Sequence, residues 1–147
     1  MKIKMIFAVA LSLLFMFSKS SVAETRSPAT IEKELKLTTK VAVQAYRKGG
    51  MAELFQMVED CYQKVEGTQF VCLYLDLASL HIDQTISAAM KYPPNENFSN
   101  TQVFRRINPV LRSARMDKET ASRYLVMTIS TINKLVDQEL AAAAHPR

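Results

Sequence analysis

Apolar residues recur every three or four positions along most of the chain, which is the spacing of an α-helix. The longest such pattern begins after Thr68, which can cap a helix, and ends at Pro93-Pro94, which cannot continue one. Two apolar lines run along this segment and predict burial on most sides of the helix. The first line contains Phe70, Leu73, Leu77 and Leu80, and the second contains Tyr74, Ala78, Ile82 and Ile86. We therefore expect the other helices to pack around it.

Two helices are predicted before this segment. Thr30 can cap the first, and its apolar stripe ends at Gly49-Gly50. The second carries its apolar residues on one face between residues 51 and 65, and Gly67 is its expected stop.

Two more helices are predicted after the prolines. Asn100 can cap a short helix that should end or kink before Pro109. Asp117 can cap the last helix, whose apolar positions repeat regularly to residue 140. No segment shows a convincing period-two alternation of a strand, so the chain predicts an all-α fold, a compact bundle of four to six helices.

Residues 1–23 have the three parts of a secretory signal peptide, namely a basic start, a largely apolar run and small residues before the cleavage point. The apolar run, residues 5–17, is shorter than the roughly 20 residues needed to span a bilayer. We therefore expect cleavage near Ala23 and a single periplasmic domain of residues 24–147 that is not embedded in the membrane. Loss of three lysines with the signal would lower the net charge from +5 to +2.

Cys61 and Cys72 are the only cysteines and lie on either side of Gly67. One falls near the end of a predicted helix and the other at the start of the next, positions that an antiparallel hairpin can bring together. In an oxidising compartment such a pair is expected to form a disulfide, which predicts a stapled helical hairpin. Two cysteines do not supply the four ligands of a structural zinc site, so no metal site is expected.

The chain shows no set of residues typical of an enzyme. His81 and Asp83 suggest a catalytic pair, but residues two apart on a helix point away from each other. No serine or cysteine has an identifiable base, and the two-cysteine motif of covalent haem attachment is absent. We therefore predict a protein without enzymatic activity and without a cofactor.

The segment after the prolines is basic. Its basic residues are Arg105, Arg106, Arg112, Arg115, Lys118 and Arg123. They could meet nucleic acid, an acidic lipid surface or an acidic protein face, although a solvated helix surface is the simplest interpretation. An exported protein rarely meets nucleic acid, so none is predicted as a partner.

The loop over residues 92–100 has a composition suited to protein recognition, because aromatic rings and paired prolines would present a preordered surface. In the alternative interpretation, Phe98 packs onto the following helix and Tyr92 caps the preceding one. We predict a partner-binding surface at this loop and at the start of the next helix. Its predicted residues are Tyr92, Pro93, Asn95, Glu96, Phe98, Arg105 and Arg106.

The order of features around the cysteines resembles a known family. Residues 54–83 contain Cys61, an eleven-residue step to Phe70-Val71-Cys72, and then Tyr74, Ala78 and Asp83. A proline-containing loop, a helix, a proline-bearing link and a final helix follow. This arrangement resembles the Rap and Tai immunity proteins of type VI secretion over about residues 50–135. The family often carries a second cysteine pair, which this chain lacks.

The resemblance implies a periplasmic, mostly helical inhibitor that binds a secreted cell-wall-degrading toxin, such as a peptidoglycan amidase, and occludes its active site. The loop would insert into the toxin, with Arg105 and Arg106 beside it. A periplasmic chaperone or stress protein without enzymatic activity is the alternative, and a small enzyme is a third hypothesis. The sequence leaves homodimer formation open.

Overall fold

The computed structural model describes residues 26–64 and 70–144. Within these ranges the chain forms four α-helices and one short 3₁₀ turn, with no β-strand, so the predicted all-α bundle is confirmed. The predicted signal peptide, Thr68 and the turn at Gly67 lie outside the described residues. The elements are α1 (Pro28–Lys64), α2 (Phe70–Met90), the 3₁₀ turn (Glu96–Phe98), α3 (Asn100–Ser113) and α4 (Lys118–Ala144).

Helix α1 is broken at the two glycines rather than ended there. Gly50 has φ 67° and ψ −156°, a conformation open almost only to glycine, and the helix resumes at Met51. The predicted first and second helices are thus two segments joined at a kink. The start of the helix also differs from the prediction, because the Ser27 hydroxyl accepts the Thr30 amide and makes Ser27 the cap.

Helix α2 is the central element, in contact with α1, α3 and α4. Every side chain from residue 72 to residue 79 is buried, which confirms the predicted burial on most sides. Leu77, for example, is only 2 % exposed. This central position follows from the two apolar lines, since a helix with one polar face could not be surrounded.

The disulfide between Cys61 and Cys72 ties the end of α1 to the start of α2, as predicted. The two Cα atoms are 5.6 Å apart, well within the range for bonded cysteines. Cys72 itself is fully buried, so the bond joins the edge of α1 directly to the core.

Helix α3 continues through Pro109 to Ser113, so the predicted end or kink before the proline is corrected. Pro109 and Arg105, whose carbonyl loses its helical partner, both lie on the exposed side of the helix, where water can satisfy that carbonyl. The cap is also shifted by one residue, because the Ser99 hydroxyl accepts the Gln102 amide and Asn100 is already helical.

Helix α4 begins as predicted after Asp117, whose carboxylate accepts the Thr120 amide and the Thr120 hydroxyl. Its buried side chains Thr128, Ile132 and Val136 face the core with helical spacing. The helix packs against α1 and α2.

Candidate partner-binding surface

The segment between α2 and α3, which we call the 91–99 loop, starts with a tight helix ending. Lys91 adopts the left-handed conformation with φ 57°, and the Tyr92 amide donates to the Ser87 carbonyl at 3.1 Å. This six-to-one bond is the mark of a Schellman helix ending, which is usually built on glycine. The chain therefore leaves α2 in a fixed direction before the two prolines.

A carboxylate of α2 holds the middle of the 91–99 loop. The Asn95 amide donates to both oxygens of Asp83, at 3.1 and 3.0 Å. Asp83 is nearly inaccessible to solvent. Burial raises the pKa of the Asp83 carboxyl above its ordinary value, although the hydrogen bonds from Asn95 and Ser87 act in the opposite direction.

Asn95 also starts the 3₁₀ turn. Its side-chain oxygen accepts the Asn97 amide at 3.0 Å, and its carbonyl accepts the Phe98 amide. Asn95 was predicted to contact a partner, yet both its backbone and its side chain serve to fold the loop onto itself.

Phe98 is part of the core. Its side chain is 1 % exposed and meets the ring of Phe55 edge to face, with the centroids 6.1 Å apart. The prediction that this ring offers an exposed contact is therefore wrong, because the short turn before it directs the ring inward. The alternative interpretation is closer to the geometry, because the Phe98 ring lies 5.8 Å from the Arg106 guanidinium of the following helix and the Tyr92 amide closes the last turn of α2. It did not include the contact of Phe98 with Phe55 of α1.

A buried ion pair fixes the end of the 91–99 loop. Arg106 of α3 donates to Asp76 of α2 through Nε at 2.8 Å and through Nη2 at 2.7 Å, and Nη2 also donates to the Asn97 carbonyl at 2.9 Å. Asp76 has no accessible surface and also accepts from the Tyr62 hydroxyl at 3.3 Å. Arg106 was predicted to flank a partner, but its guanidinium is directed into the protein.

Burial and pairing have opposite effects on the pKa values of these two groups, because burial disfavours both charged forms and pairing favours them. Burial raises the pKa of the Asp76 carboxyl, against the lowering effect of the hydrogen bonds and charge of Arg106. Burial alone would lower the pKa of Arg106, but the hydrogen bonds and charge of Asp76 outweigh it and raise that pKa. The geometry is a bidentate charge-assisted pair, which fixes orientation more strictly than a single hydrogen bond.

The remaining predicted residues are exposed. Tyr92 is 66 % exposed, and Pro93, Glu96 and Arg105 also lie on the surface. The predicted set therefore divides into side chains that are accessible to a partner and three, Asn95, Phe98 and Arg106, that hold the loop from within. The result is an exposed surface on a well-anchored backbone.

His81 has a carboxylate partner that the sequence did not suggest. Its Nε2 lies 2.8 Å from Oδ1 of Asp137, which is on α4. No hydroxyl or thiol within the described ranges hydrogen-bonds to His81, and no three histidine, cysteine, aspartate or glutamate side chains there are grouped as metal ligands. The pair joins α2 to α4 and lacks the nucleophile of a catalytic set.

Sequence reasoning missed Asp76 and Asp137, and it considered Asp83 only as a possible partner of His81, not as an anchor of the loop. A signal existed for Asp76 and Asp83, because a carboxylate within an otherwise apolar helix requires a partner when it is buried. Their spacing of seven places both on one side of α2, the side that faces α3 and the 91–99 loop. Asp137 gave no such signal, since it lies on an exposed stretch of α4.

No protein-family model matches this chain, and the searches of curated proteins and of solved structures likewise found no match. Among the described helices, none is both long and apolar enough to cross a bilayer.

Proposed function

We propose that this chain is a periplasmic immunity protein that binds a secreted cell-wall-degrading toxin and occludes its active site. The observation that carries the proposal is the anchoring of the 91–99 loop by Asp83 and by Arg106. Because its backbone is already fixed, the loop would lose little conformational entropy when it inserts into a partner.

The exposed part of the loop has the chemistry of an interface anchor. Tyr92 presents a large amphipathic ring with few rotatable bonds, next to two exposed prolines. An anchored and exposed segment of this kind suits insertion into an enzyme cleft, where a few residues can exclude substrate. The mechanism is steric occlusion, so it requires no catalytic group on this chain.

The toxin and the compartment come from the sequence. The signal-like residues 1–23 support a periplasmic location, and the resemblance to the Rap and Tai proteins suggests the class of partner, a type VI effector such as a peptidoglycan amidase. The disulfide supports this location, because such bonds persist mainly in oxidising compartments.

A periplasmic chaperone is the second candidate. It is favoured by exposed apolar side chains on α4, of which Val126 is 66 % and Met127 is 72 % exposed. A chaperone would bind many unfolded chains weakly through such residues, whereas an immunity protein would bind one folded enzyme tightly.

The proposal predicts a gene for a cell-wall hydrolase next to this one, and the deciding experiment measures inhibition of that hydrolase. The purified protein should abolish its release of muropeptides at equimolar ratio and bind it with a single affinity in calorimetry. Tyr92→Ala should weaken binding about thirtyfold, the equivalent of ~2 kcal/mol for an interface anchor. Tyr92→Phe should retain most of the affinity because it keeps the ring.

Met127→Ala is the matched control, since it removes an exposed side chain on another helix and should leave the affinity for the hydrolase unchanged. Full hydrolase activity in the presence of excess protein would exclude the immunity function. Suppression of the aggregation of an unrelated unfolded protein, lost in Met127→Ala, would instead support the chaperone. Sedimentation velocity on the same samples reports whether the protein forms a dimer.

A further inference from the structure

An open groove lies between α3 and the first half of α4. It encloses about 420 Å³ and is lined mainly by apolar side chains. Its apolar residues are Phe104, Leu111, Met116, Ala121 and Leu125. Leu111 is buried at its base, and the others are only partly covered by the rest of the described chain.

The charged side chains that line the groove are basic. Arg112 and Lys118 lie at its edge, and neither side chain makes an ion pair or hydrogen bond with another residue in the described ranges. The nearby carboxylates are engaged elsewhere, since Asp117 caps α4 and Glu119 pairs with Arg123. The groove therefore combines an apolar surface with positive charge that nothing in the described chain neutralises.

One exposed side of α3 runs from the groove towards the 91–99 loop. Arg105, Asn108 and Arg112 are spaced by three and four residues, so they line one exposed side of α3. The helix has 14 residues and is therefore roughly 21 Å long, so its exposed side can join the loop to the groove, which α3 lines from Phe104 to Arg112.

We propose that this groove is a second contact for the partner of the 91–99 loop and takes an acidic amphipathic segment of that protein, with apolar side chains in the groove and carboxylates beside Arg112 and Lys118. This inference rests on the proposed function, because it assigns further contacts to the same partner. A helix laid into an apolar groove is a common mode of recognition.

Two features favour a protein segment over a small amphiphile. The groove is open to solvent, whereas a site for a small ligand usually surrounds most of the surface of that ligand. A stable interface also covers about 800 Å² on each partner and about 20–30 residues. The nine residues of the loop are too few for that, so the partner needs further surface, which the exposed side of α3 and the groove can supply.

The test uses the folded full-length protein and two synthetic helical peptides labelled with fluorescein. The first carries leucines along one side and glutamates elsewhere, and the second has lysines in place of the glutamates. Fluorescence anisotropy should show saturable binding of the acidic peptide and none of the basic one. Binding of both with similar affinity, or of neither, overturns the proposal.

Two variants locate the binding. Ala121→Glu places a carboxylate in the groove, and Arg112→Glu reverses a charge at its edge. Each variant should bind the acidic peptide at least tenfold more weakly. Arg47→Glu on α1 is the matched control, because it makes the same change in net charge on another exposed surface. An equal loss in Arg47→Glu would show a non-specific charge effect and overturn the assignment.

A further arm separates a protein partner from a lipid surface. If phosphatidylglycerol vesicles bind the protein and displace the acidic peptide, the groove binds membranes and the proposal is overturned. Vesicles that do not compete support it.

Failure of the groove and failure of the proposed function are distinguishable with the neighbouring hydrolase. Tyr92→Ala should leave peptide binding unchanged, and Ala121→Glu should weaken the hydrolase complex about tenfold. If Tyr92→Ala weakens the hydrolase complex and Ala121→Glu does not, only the proposed groove contact is contradicted. If the acidic peptide binds in the groove but the protein does not inhibit the hydrolase, the proposed immunity function is contradicted instead.

Discussion

Asp76 and Arg106 join α2 to α3 through two charge-assisted hydrogen bonds of 2.7 and 2.8 Å. The same guanidinium donates to the Asn97 carbonyl, so one side chain connects the central helix to the 91–99 loop. A buried ion pair adds little net stability compared with apolar residues of equal size, but it specifies orientation. Here it holds the end of the 91–99 loop, at the Asn97 carbonyl, against α2.

The first prediction is that Arg106→Met destabilises the protein strongly. It leaves the Asp76 carboxylate buried without its guanidinium, a change that costs about 3–5 kcal/mol in comparable buried pairs. Urea denaturation followed by circular dichroism measures the loss. The double variant Asp76→Leu with Arg106→Met should recover part of it, because no charge remains buried.

Arg105→Met is the matched control for this prediction. It removes the same side-chain type one position away, but Arg105 is exposed, so the change should stay within about 0.5 kcal/mol. If Arg106→Met were no more destabilising than Arg105→Met, the ion pair would not be what anchors the loop.

The helices and the core could be predicted from the sequence because they depend on local periodicity. The two apolar lines of α2 predicted the burial of Leu77, and helix ends near both cysteines predicted the disulfide. The predicted end or kink of α3 before Pro109 was wrong because the effect of a proline depends on its surroundings, which the periodicity does not show. On the exposed side of α3, the carbonyl that it leaves unpaired can bond to water.

The anchoring of the loop could not be predicted, because it depends on contacts between distant parts of the chain. Asp76 and Arg106 are 30 residues apart, and His81 and Asp137 are 56 apart. Periodicity gives the side of a helix on which a residue lies, but not the residue that it meets there. For the same reason the sequence did not show that Phe98 is buried, and its predicted role as an exposed contact was wrong.

The second prediction concerns pH. Because the folded-state pKa of Asp83 is raised, the folded protein holds this proton more tightly than the unfolded chain does. Ionised Asp83 therefore reduces stability at neutral pH, and this cost is relieved as the pH falls through its raised pKa. The stability of the wild type relative to Asp83→Asn should increase from pH 7 to pH 4.

For Asp117 the pH dependence of the stability has the opposite sign. The Thr120 amide and hydroxyl lower the pKa of this exposed capping carboxylate, so its contribution is present above its ordinary pKa and is lost as the pH falls through the lowered one. Carbon-detected NMR titration should place the midpoint of Asp83 above 3.8 and that of Asp117 below it. The reverse order would contradict both assignments.

The third prediction is that reduction of the Cys61–Cys72 bond lowers stability while the helices remain. In the chain-entropy model a bond that closes a loop of this size contributes about 3 kcal/mol. Guanidinium denaturation with and without dithiothreitol should show a lower midpoint in the reduced protein, with little change in the native far-ultraviolet signal. The Cys61→Ser/Cys72→Ser double variant should match the reduced wild type, and no accessible thiol should appear in the denatured, unreduced protein.

The last prediction separates the two aromatic residues of the 91–99 loop. Phe98→Ala removes a buried ring that packs on Phe55 and should cost about 3–5 kcal/mol of stability. Tyr92→Ala removes a ring that is 66 % exposed and should change stability by less than about 0.5 kcal/mol. Thermal and urea denaturation measure both changes in stability.

Any loss of hydrolase binding in Tyr92→Ala can then be assigned to the interface, whereas a loss in Phe98→Ala would follow from unfolding of the loop. A Tyr92→Ala variant as unstable as Phe98→Ala would show that Tyr92 supports the fold, and the proposed contact would then move to Glu96 and Arg105.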